Sequence, residues 1–590
     1  MKLNFQKPDY YKLNGSEKTW LSFVLKEQMK NRELWKQFIE IYHTKEDGLD
    51  NGWRGEYWGK MLRGACLCYQ ITLDEELYDI LLDAVEGLLA TQDSEGRISS
   101  YEKEKEFFGW DMWCRKYVLV GLQHFYQIAK EDDLKAKVLT AMRRSLDYII
   151  SKIGKGKKSI FETSEFYGAT NSCSILEPVM QLFEITRNEK YLEFAEYIIQ
   201  GGGCALGSLL ACVRQECMPY DYPEIKIYET VSFFEGVFKY GLFSGQTEYS
   251  ELAIKFIEDV YRTDITITGG AGCRCELFNN SALRQFKEKD NLAQENCVTV
   301  TIMRMLDLLY QATGDVKYQH RLERSYYNVL LGAVNFNSER GFIPEEKKIV
   351  DALPFDSYSP IYYNKRGRAV SGYKEFKGNG FYSCCSAIGG AGLALFPLNA
   401  VVLSHKKICV NQYISGQYVF GDKSLTIETD YPQNGKIKLL AKGFDDGYVF
   451  ELRLPLFCKG NVLINGKKVS SEEDYLTISV SNTVLDMEFI LVPYEYTHNN
   501  LSHFEYGPLV LCQDEMKNGK DDLLSVKRIK RENGEVKYEL LPPQNDEFCR
   551  MLLYTESGEK VLLTDYQSCG KKWREENSKI SVFLLREENV

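Results

Sequence analysis

Apolar residues recur at three- and four-residue steps through the first two thirds of the chain. DEELYDILLDAVEGLLATQ (74–92), DLKAKVLTAMRRSLDYIISKI (133–153) and YSELAIKFIEDVYRT (249–263) carry this spacing, which lays one apolar stripe along an α-helix. Beyond about residue 400 the pattern becomes alternation. KICVNQYISGQYVF (407–420), KLLAKGFDDGYVFELRLPL (438–456), YLTISV (475–480) and KISVFLL (579–585) read as strands, with turns predicted at Asn465-Gly466 and Asp445-Asp446-Gly447. The expected division is a helical domain over 1–400 and β-sandwich structure over 401–590.

A polar turn followed by a Tyr- or Leu-led helix recurs at Tyr78, Leu134, Tyr191, Tyr249 and Tyr318, in steps of 56, 57, 58 and 69 residues. Common solenoid repeats run ~33–47 residues, whereas two helices of ~15–20 residues with their connections fill the longer period. Helical hairpins in series build either an open solenoid or a closed (α/α)6 barrel. The long insertions Asp264–Gln294 and Asn335–Ser383 favour the barrel, whose mouth such loops would line.

Composition removes several function classes. Of 590 residues, 44% are hydrophobic and 27% charged, so the chain is globular rather than disordered. The net charge is −11 and no long basic run occurs, so nucleic acid is not an expected partner. No uninterrupted apolar window of ~18 residues exists, so no transmembrane helix is expected. The opening MKLNFQKPDYYKLNGSEK lacks the apolar centre of a signal peptide, so a cytoplasmic location is expected. In that reducing setting the 17 cysteines are read as thiols or metal ligands, not as a disulfide frame. Most of them, such as Cys66, Cys68, Cys204 and Cys212, lie in apolar runs and are expected as small core residues. The six histidines form no HxxxH or HExxH, and GxSxG, GxGxxG and GxxxxGK[ST] are all absent. Histidine-zinc hydrolysis, serine hydrolysis and nucleotide cofactors therefore lack support.

Three segments carry chemistry. In GFYSCCSAIGGAG, Cys384 and Cys385 are adjacent and cannot easily share one apolar face. The Gly-rich run after them reads as a loop entering a helix, whose N-terminus would lower a thiol pKa. Glu295-Asn296-Cys297 heads the helical segment ENCVTVTIMRMLDLLYQATGD, where a carboxylate and a thiolate can converge from one turn. Together these four residues have the ligand types of a tetrahedral zinc site. The third segment is GGAGCRCELF (269–278). Its Glu276 is a candidate general acid of raised pKa, or else a solvated loop residue. Cys273 and Cys275 are competing candidate ligands.

GGAGCRCELF, ENCVTVTIMRMLDLLYQATGDVKY, ERSYYNVLLGAV, YSCCSAIGGAGLALFP and FEYGPLVL, with GWRGEYWGKMLRGA (52–65) and GWDMWCRKY (109–117), resemble family 127 of the glycoside hydrolases. This is the β-L-arabinofuranosidase family. The resemblance runs in order across most of the chain. It implies an (α/α)6 barrel followed by a C-terminal β-sandwich, and a Zn2+ held by Glu295, Cys297, Cys384 and Cys385. It further implies Cys384 as nucleophile and Glu276 as acid/base, acting by the two-step retaining route with a thiolate in place of one carboxylate. In the best-known branch, histidines on the inner helices contact the sugar. Leu122, Ser172 and Lys226 stand at the positions aligned with them here, which suggests a different, more acidic sugar. Lys226 would then pair with a substrate carboxylate, or be an ordinary surface lysine.

The remaining pocket candidates are Trp53, Glu56, Trp110, Asp111, Trp113, Arg115, Tyr228 and Glu229. Tryptophan faces stack on sugar C–H surfaces and carboxylates bind hydroxyls, though each of these residues also suits a barrel core. The expected function is a retaining exo-glycosidase acting on an oligosaccharide that ends in a sugar such as β-L-arabinofuranose. The rival is a non-catalytic carbohydrate-binding or scaffold protein with a structural Cys3Glu zinc, because a fully ligated zinc is normally structural. A sugar epimerase is disfavoured by the lack of paired histidines. The apolar FEYGPLVL strand is a candidate subunit interface for a homodimer.

Overall fold

The computed structural model describes residues 5–586 except 288–291, 337–339, 344–347, 367–371, 378–379, 445–446, 459–461, 472, 481–483, 520–522, 524–525 and 572–578. Six helices form an inner ring: α1 (Gly55–Thr72), α2 (Asp111–Ile128), α3 (Leu176–Thr186), α4 (Ile227–Ser244), α5 (Asn296–Thr313) and α6 (Cys384–Leu398). Each packs against the next, and α6 packs back on α1, so the ring closes. These helices are buried on nearly every side. That is why they lack the single apolar stripe of a surface helix.

The outer helices supply the stripes read from the sequence. Tyr78, Leu134, Tyr191, Tyr249 and Tyr318 fall in the first turns of Glu75–Leu89, Asp132–Lys152, Glu189–Gln200, Thr247–Thr263 and Lys317–Ser325. Helix Glu189–Gln200 buries Tyr191, Phe194, Ala195, Ile198 and Ile199, one face of a 3.6-residue period. The polar turns before the helices act as caps. Asp74 accepts from the Leu77 amide at 2.9 Å and Asn188 from the Lys190 amide at 3.2 Å. No repeat precedes α6 because its outer partner is the N-terminal helix Gly15–Val24. The chain's two ends of the helical region thus close the barrel.

Close helix approach is set by glycines. A Cβ on Gly59 of α1 would sit 1.9 Å from the Tyr117 carbonyl of α2. The Gly-rich run after Cys385 is not a loop, as expected, but the body of α6. A Cβ at Gly390 would meet Met29 at 2.1 Å and one at Gly389 would meet Phe355 at 2.5 Å, so packing density explains the glycines.

Two sheets follow α6 over residues 401–489, of seven and four strands, and the strand Tyr10–Leu13 joins the larger one by pairing with Gly416–Phe420. Asn465-Gly466 joins strands Val462–Ile464 and Lys467–Val469 as predicted, with φ of 48° and 75°. The expected turn at Asp445-Asp446 lies outside the described residues. A nine-stranded sheet forms mainly from residue 493 onward. FEYGPLVL builds a hairpin there. Its strand Leu509–Asp514 is fully buried between neighbours, so it is not a free edge for subunit pairing.

This last sheet reaches the barrel mouth. The Tyr566 hydroxyl donates to the Pro360 carbonyl at 2.7 Å. Strand Tyr358–Pro360 pairs in turn with Ala293–Glu295, which leads into α5. Among the described residues no helix is long and apolar enough to cross a membrane. Gly59→Ala is expected to destabilise the barrel by about 1–3 kcal/mol through overpacking at the α1–α2 crossing. Thermal unfolding checks this, and an unchanged midpoint would contradict the close approach.

Candidate active site

Two helix starts meet at the barrel mouth. Glu295 is the N-cap of α5, its Oε2 accepting from the Val298 amide at 3.0 Å, and Cys297 lies in the first turn. Cys384 and Cys385 are the first residues of α6, capped by Ser383, whose Oγ accepts from the Ser386 amide at 3.1 Å. The positive ends of two adjacent helices therefore point at one cluster, where they favour thiolate.

One oxygen of Glu295 and the sulfurs of Cys297, Cys384 and Cys385 lie within 4.8 Å of one another. Ligands on a tetrahedral ion with bonds of ~2.0–2.3 Å sit ~3.3–3.8 Å apart, so a small contraction completes a site. Cys385 Sγ already donates to Glu295 Oε1 at 3.2 Å. The donor set fits a thiophilic divalent metal. Cys273 is buried elsewhere and Cys275 is exposed, so the CxC pair does not join the cluster.

The electrostatics single out Cys384. Hydrogen bonds from Cys297 and Cys385 hold its thiol well below the ordinary range against burial, helped by Lys60 and Lys226. Burial pushes Glu295, Cys297 and Cys385 well up. The surroundings thus favour ionisation at the half-buried member of the set over the other three. Lys60 Nζ lies 3.9 Å from Cys297 Sγ and 3.0 Å from Glu56 Oε1, and Trp113 Nε1 donates to Glu56 Oε2. Burial pushes the Glu56 and Glu229 carboxyls up to about 7 each.

Glu276 lines the same pocket as Cys384. Its loop is pinned to the start of α4, with the Ile227 amide donating to the Glu276 carbonyl at 2.9 Å and the Phe278 amide to the Ile225 carbonyl at 2.8 Å. That register sets Lys226 Nζ against Glu276 Oε2 at 2.5 Å. The Tyr358 hydroxyl donates to Glu276 Oε1 at 3.2 Å. Cys275 and Glu276 both adopt positive φ, 50° and 66°. Such backbone costs energy in non-glycine residues and persists where the surroundings enforce it.

The pocket has a volume of about 160 Å³. Trp53, Glu56, Trp110, Trp113, Tyr228 and Glu229, the residues for which the sequence left pocket and barrel core open, line it. Asp111 and Arg115 do not. Asp111 accepts from Arg115 Nε at 3.0 Å and from the Phe107 amide at 2.7 Å, while Arg115 Nη2 donates to Glu106 at 3.0 Å. Their charges are consumed in bracing the turn before α2. Leu122 and Ser172 are fully buried and outside the pocket lining. Lys226 does reach the pocket and is no surface lysine, being 8% exposed. The sequence reading missed Lys60, Tyr167, Tyr358 and Gly372. A signal for Lys60 existed: Glu56, Lys60 and Arg63 fall on one face of an otherwise apolar helix.

A family profile described as "Beta-L-arabinofuranosidase, GH127 catalytic domain" matches residues 10–343, and the corresponding middle-domain profile matches residues 407–486. The chain belongs to glycoside hydrolase family 127. It is a glycoside hydrolase with the (α/α)6 barrel and β-sandwich structure of that family. Solved structures agree in fold. A family-127 beta-arabinofuranosidase is 17% identical, with 99% of this chain and 98% of that chain covered at a TM-score of 0.71. The family-127 beta-L-arabinofuranosidase Ara127N from Geobacillus stearothermophilus T6 is also 17% identical, with 98% and 100% covered at a TM-score of 0.72. A further structure described as a glycoside hydrolase is 15% identical, with 94% and 95% covered at a TM-score of 0.65. A comparison with curated protein sequences gives no match.

One glycine bears directly on the family-127 cluster. Gly372 has φ +61°, its carbonyl accepts from the Cys384 amide at 3.2 Å, and a Cβ there would lie 2.8 Å from Cys384 Sγ. Gly372→Ala is expected to displace that sulfur and lower bound metal per chain while the fold survives. Elemental analysis beside circular dichroism checks this, and full metal retention would contradict the contact.

Proposed function

We propose that this enzyme is a retaining exo-glycosidase in which Cys384 is the nucleophile and Glu276 the acid/base, with zinc held by Glu295, Cys297, Cys384 and Cys385. The observation that carries the reading is the single pocket lined by both Glu276 and Cys384. A purely structural zinc site would need neither an open pocket nor a carboxylate across it. Three sulfurs and a carboxylate favour zinc among divalent ions. When bound, zinc keeps a coordinated thiol ionised at neutral pH.

Cys384 Sγ attacks the anomeric carbon as the glycosidic C–O bond breaks, and Glu276 gives its proton to the departing oxygen. The sugar is then held by a C–S bond to Cys384. Glu276, now a carboxylate, takes a proton from water, whose oxygen displaces the sulfur and restores the thiolate. Two inversions leave the configuration retained. Lys226 and Tyr358 hold the two oxygens of Glu276 and fix its direction. Trp53, Trp110 and Trp113 offer ring faces and edges to the sugar, and Glu56 and Glu229 accept from its hydroxyls.

The volume favours an exo mode. Pockets for drug-sized ligands run about 300–1,000 Å³, and about 160 Å³ suits one terminal sugar ring. A terminal β-L-arabinofuranoside of an oligosaccharide is the proposed substrate, in keeping with the family description. Screening aryl glycosides of furanoses, pyranoses and uronic-type sugars tests the choice.

Cys384→Ser is expected to abolish turnover. Glu276→Gln is expected to keep its zinc and to slow substrates with poor leaving groups by about 10²–10⁴-fold, with little effect on activated ones. A reactive sugar analogue should label Cys384 in peptide mass spectrometry. A label on a carboxylate, with near-normal activity of Cys384→Ser, would overturn the thiolate reading.

A further inference from the structure

Below the pocket the inner helices project a second set of charges toward the barrel axis. Arg63 comes from α1, Lys116 from α2, Glu177 from α3, Glu235 and Lys239 from α4, and Arg304 from α5. Arg304 takes both carboxylates: Nη2 donates to Glu177 Oε1 at 2.6 Å and Nη1 to Glu235 Oε2 at 3.2 Å. Lys116 and Lys239 stand farther off, at 3.8 and 3.9 Å from Glu177. Four cations thus share two carboxylates. Glu184, the next carboxylate toward Lys239, accepts from Gln181 at the outer end of α3.

Arg63 is the residue left over. It is fully buried, and none of Nε, Nη1 and Nη2 has a hydrogen-bond partner. Lys116 Nζ is equally buried and without a hydrogen bond. Both flank Tyr117, with the Arg63 guanidinium 5.8 Å and the Lys116 amine 5.2 Å from its ring centroid. Arg63 and Lys116 thus feel Glu177 and Glu235 only at a distance, in a set where cations outnumber carboxylates, and buried charge without hydrogen bonds is costly. The ring contacts offset part of that cost. Water would satisfy the N–H groups but not the charge.

The surrounding groups register the same positive field. Burial and then Arg63, Arg304 and Lys239 hold the His124 imidazole well below its ordinary range, with Glu177 opposing. Burial brings the Lys116 amine down to about 8, with Glu177 and Glu235 opposing and Arg304 and Arg63 adding to the drop.

We propose that the barrel axis, one helical turn below Lys60, holds a buried monovalent anion of chloride size, bound by the Arg63 guanidinium with the Lys116 ammonium as second cation. The anion offsets the excess of four cations over the two carboxylates Glu177 and Glu235 and gives the Arg63 N–H groups an acceptor. It sits outside the sugar pocket, whose lining includes neither residue, so it would be retained whether or not substrate is bound.

Crystals of the full chain soaked in sodium bromide should show an anomalous peak within hydrogen-bonding reach of the Arg63 guanidinium. In solution, the thermal midpoint should rise as chloride replaces gluconate at constant ionic strength, because a ligand of the folded state alone stabilises it. Lys116→Met, which removes one cation without deleting the guanidinium, should flatten that dependence. No peak near Arg63, together with equal midpoints in chloride and gluconate, would overturn the proposal. A bromide peak without any chloride dependence in solution marks an adventitious ion only and overturns it as well. If Arg63→Met fails to fold, the wild-type bromide map and the Lys116→Met titration still decide the matter.

Discussion

Everything at the barrel mouth depends on bringing four metal-binding donors to the N-termini of two neighbouring inner helices. Burying three thiols and a carboxylate together is costly unless a cation or hydrogen bonds compensate. The fold meets that cost with helix ends, with Lys60 beside Cys297, and with Lys226 opposite on the pocket wall. The result is uneven: Cys384 is pulled toward thiolate while burial pushes Glu295, Cys297 and Cys385 the other way. A nucleophile needs such a local charge, and a metal bound by the same four groups would fix it in place.

The scaffold around this cluster is built to keep its parts in register. Glu295 is reached from three directions. It caps α5, pairs through its strand with Tyr358, and hydrogen-bonds Cys385 at the head of α6. Tyr358 links that strand to Glu276, and the C-terminal sheet supports it through Tyr566 and Pro360. The β structure is therefore more than an appendage. Tyr566 thus contacts the strand whose partner strand carries Glu295.

How much of this was legible in the sequence follows from burial. The outer helices carry one apolar stripe each, so their starts at Tyr78, Leu134, Tyr191, Tyr249 and Tyr318 stood out, and with them the hairpin repeat. Inner helices are buried on nearly every side, so apolar periodicity says little about which face looks into the pocket. Asp111 and Arg115 were therefore assigned to substrate, although they satisfy each other behind the wall. Lys60 lies one turn from Glu56 and went unread, although three charges on one face of an apolar helix have few homes other than a polar interior. Tyr358 could not be found this way. It sits in an insertion without period, and its place is set by a strand pairing 63 residues away in sequence at Glu295. The Glu/Cys3 set was legible from ligand type and from the family resemblance, because neither the adjacent cysteines nor the ExC alone excludes a plain core and their 87-residue separation carries no spacing signal.

The central claim is that Glu295, Cys297, Cys384 and Cys385 act as one metal–thiolate centre, proposed to hold zinc. Zinc-edge X-ray absorption on the purified protein tests it most directly. The account predicts a first shell of three sulfurs at ~2.3 Å and one oxygen at ~2.0 Å, and a loss of sulfur scattering in Cys385→Ala. A shell of nitrogen and oxygen alone, or a spectrum that Cys385→Ala leaves unchanged, would contradict it.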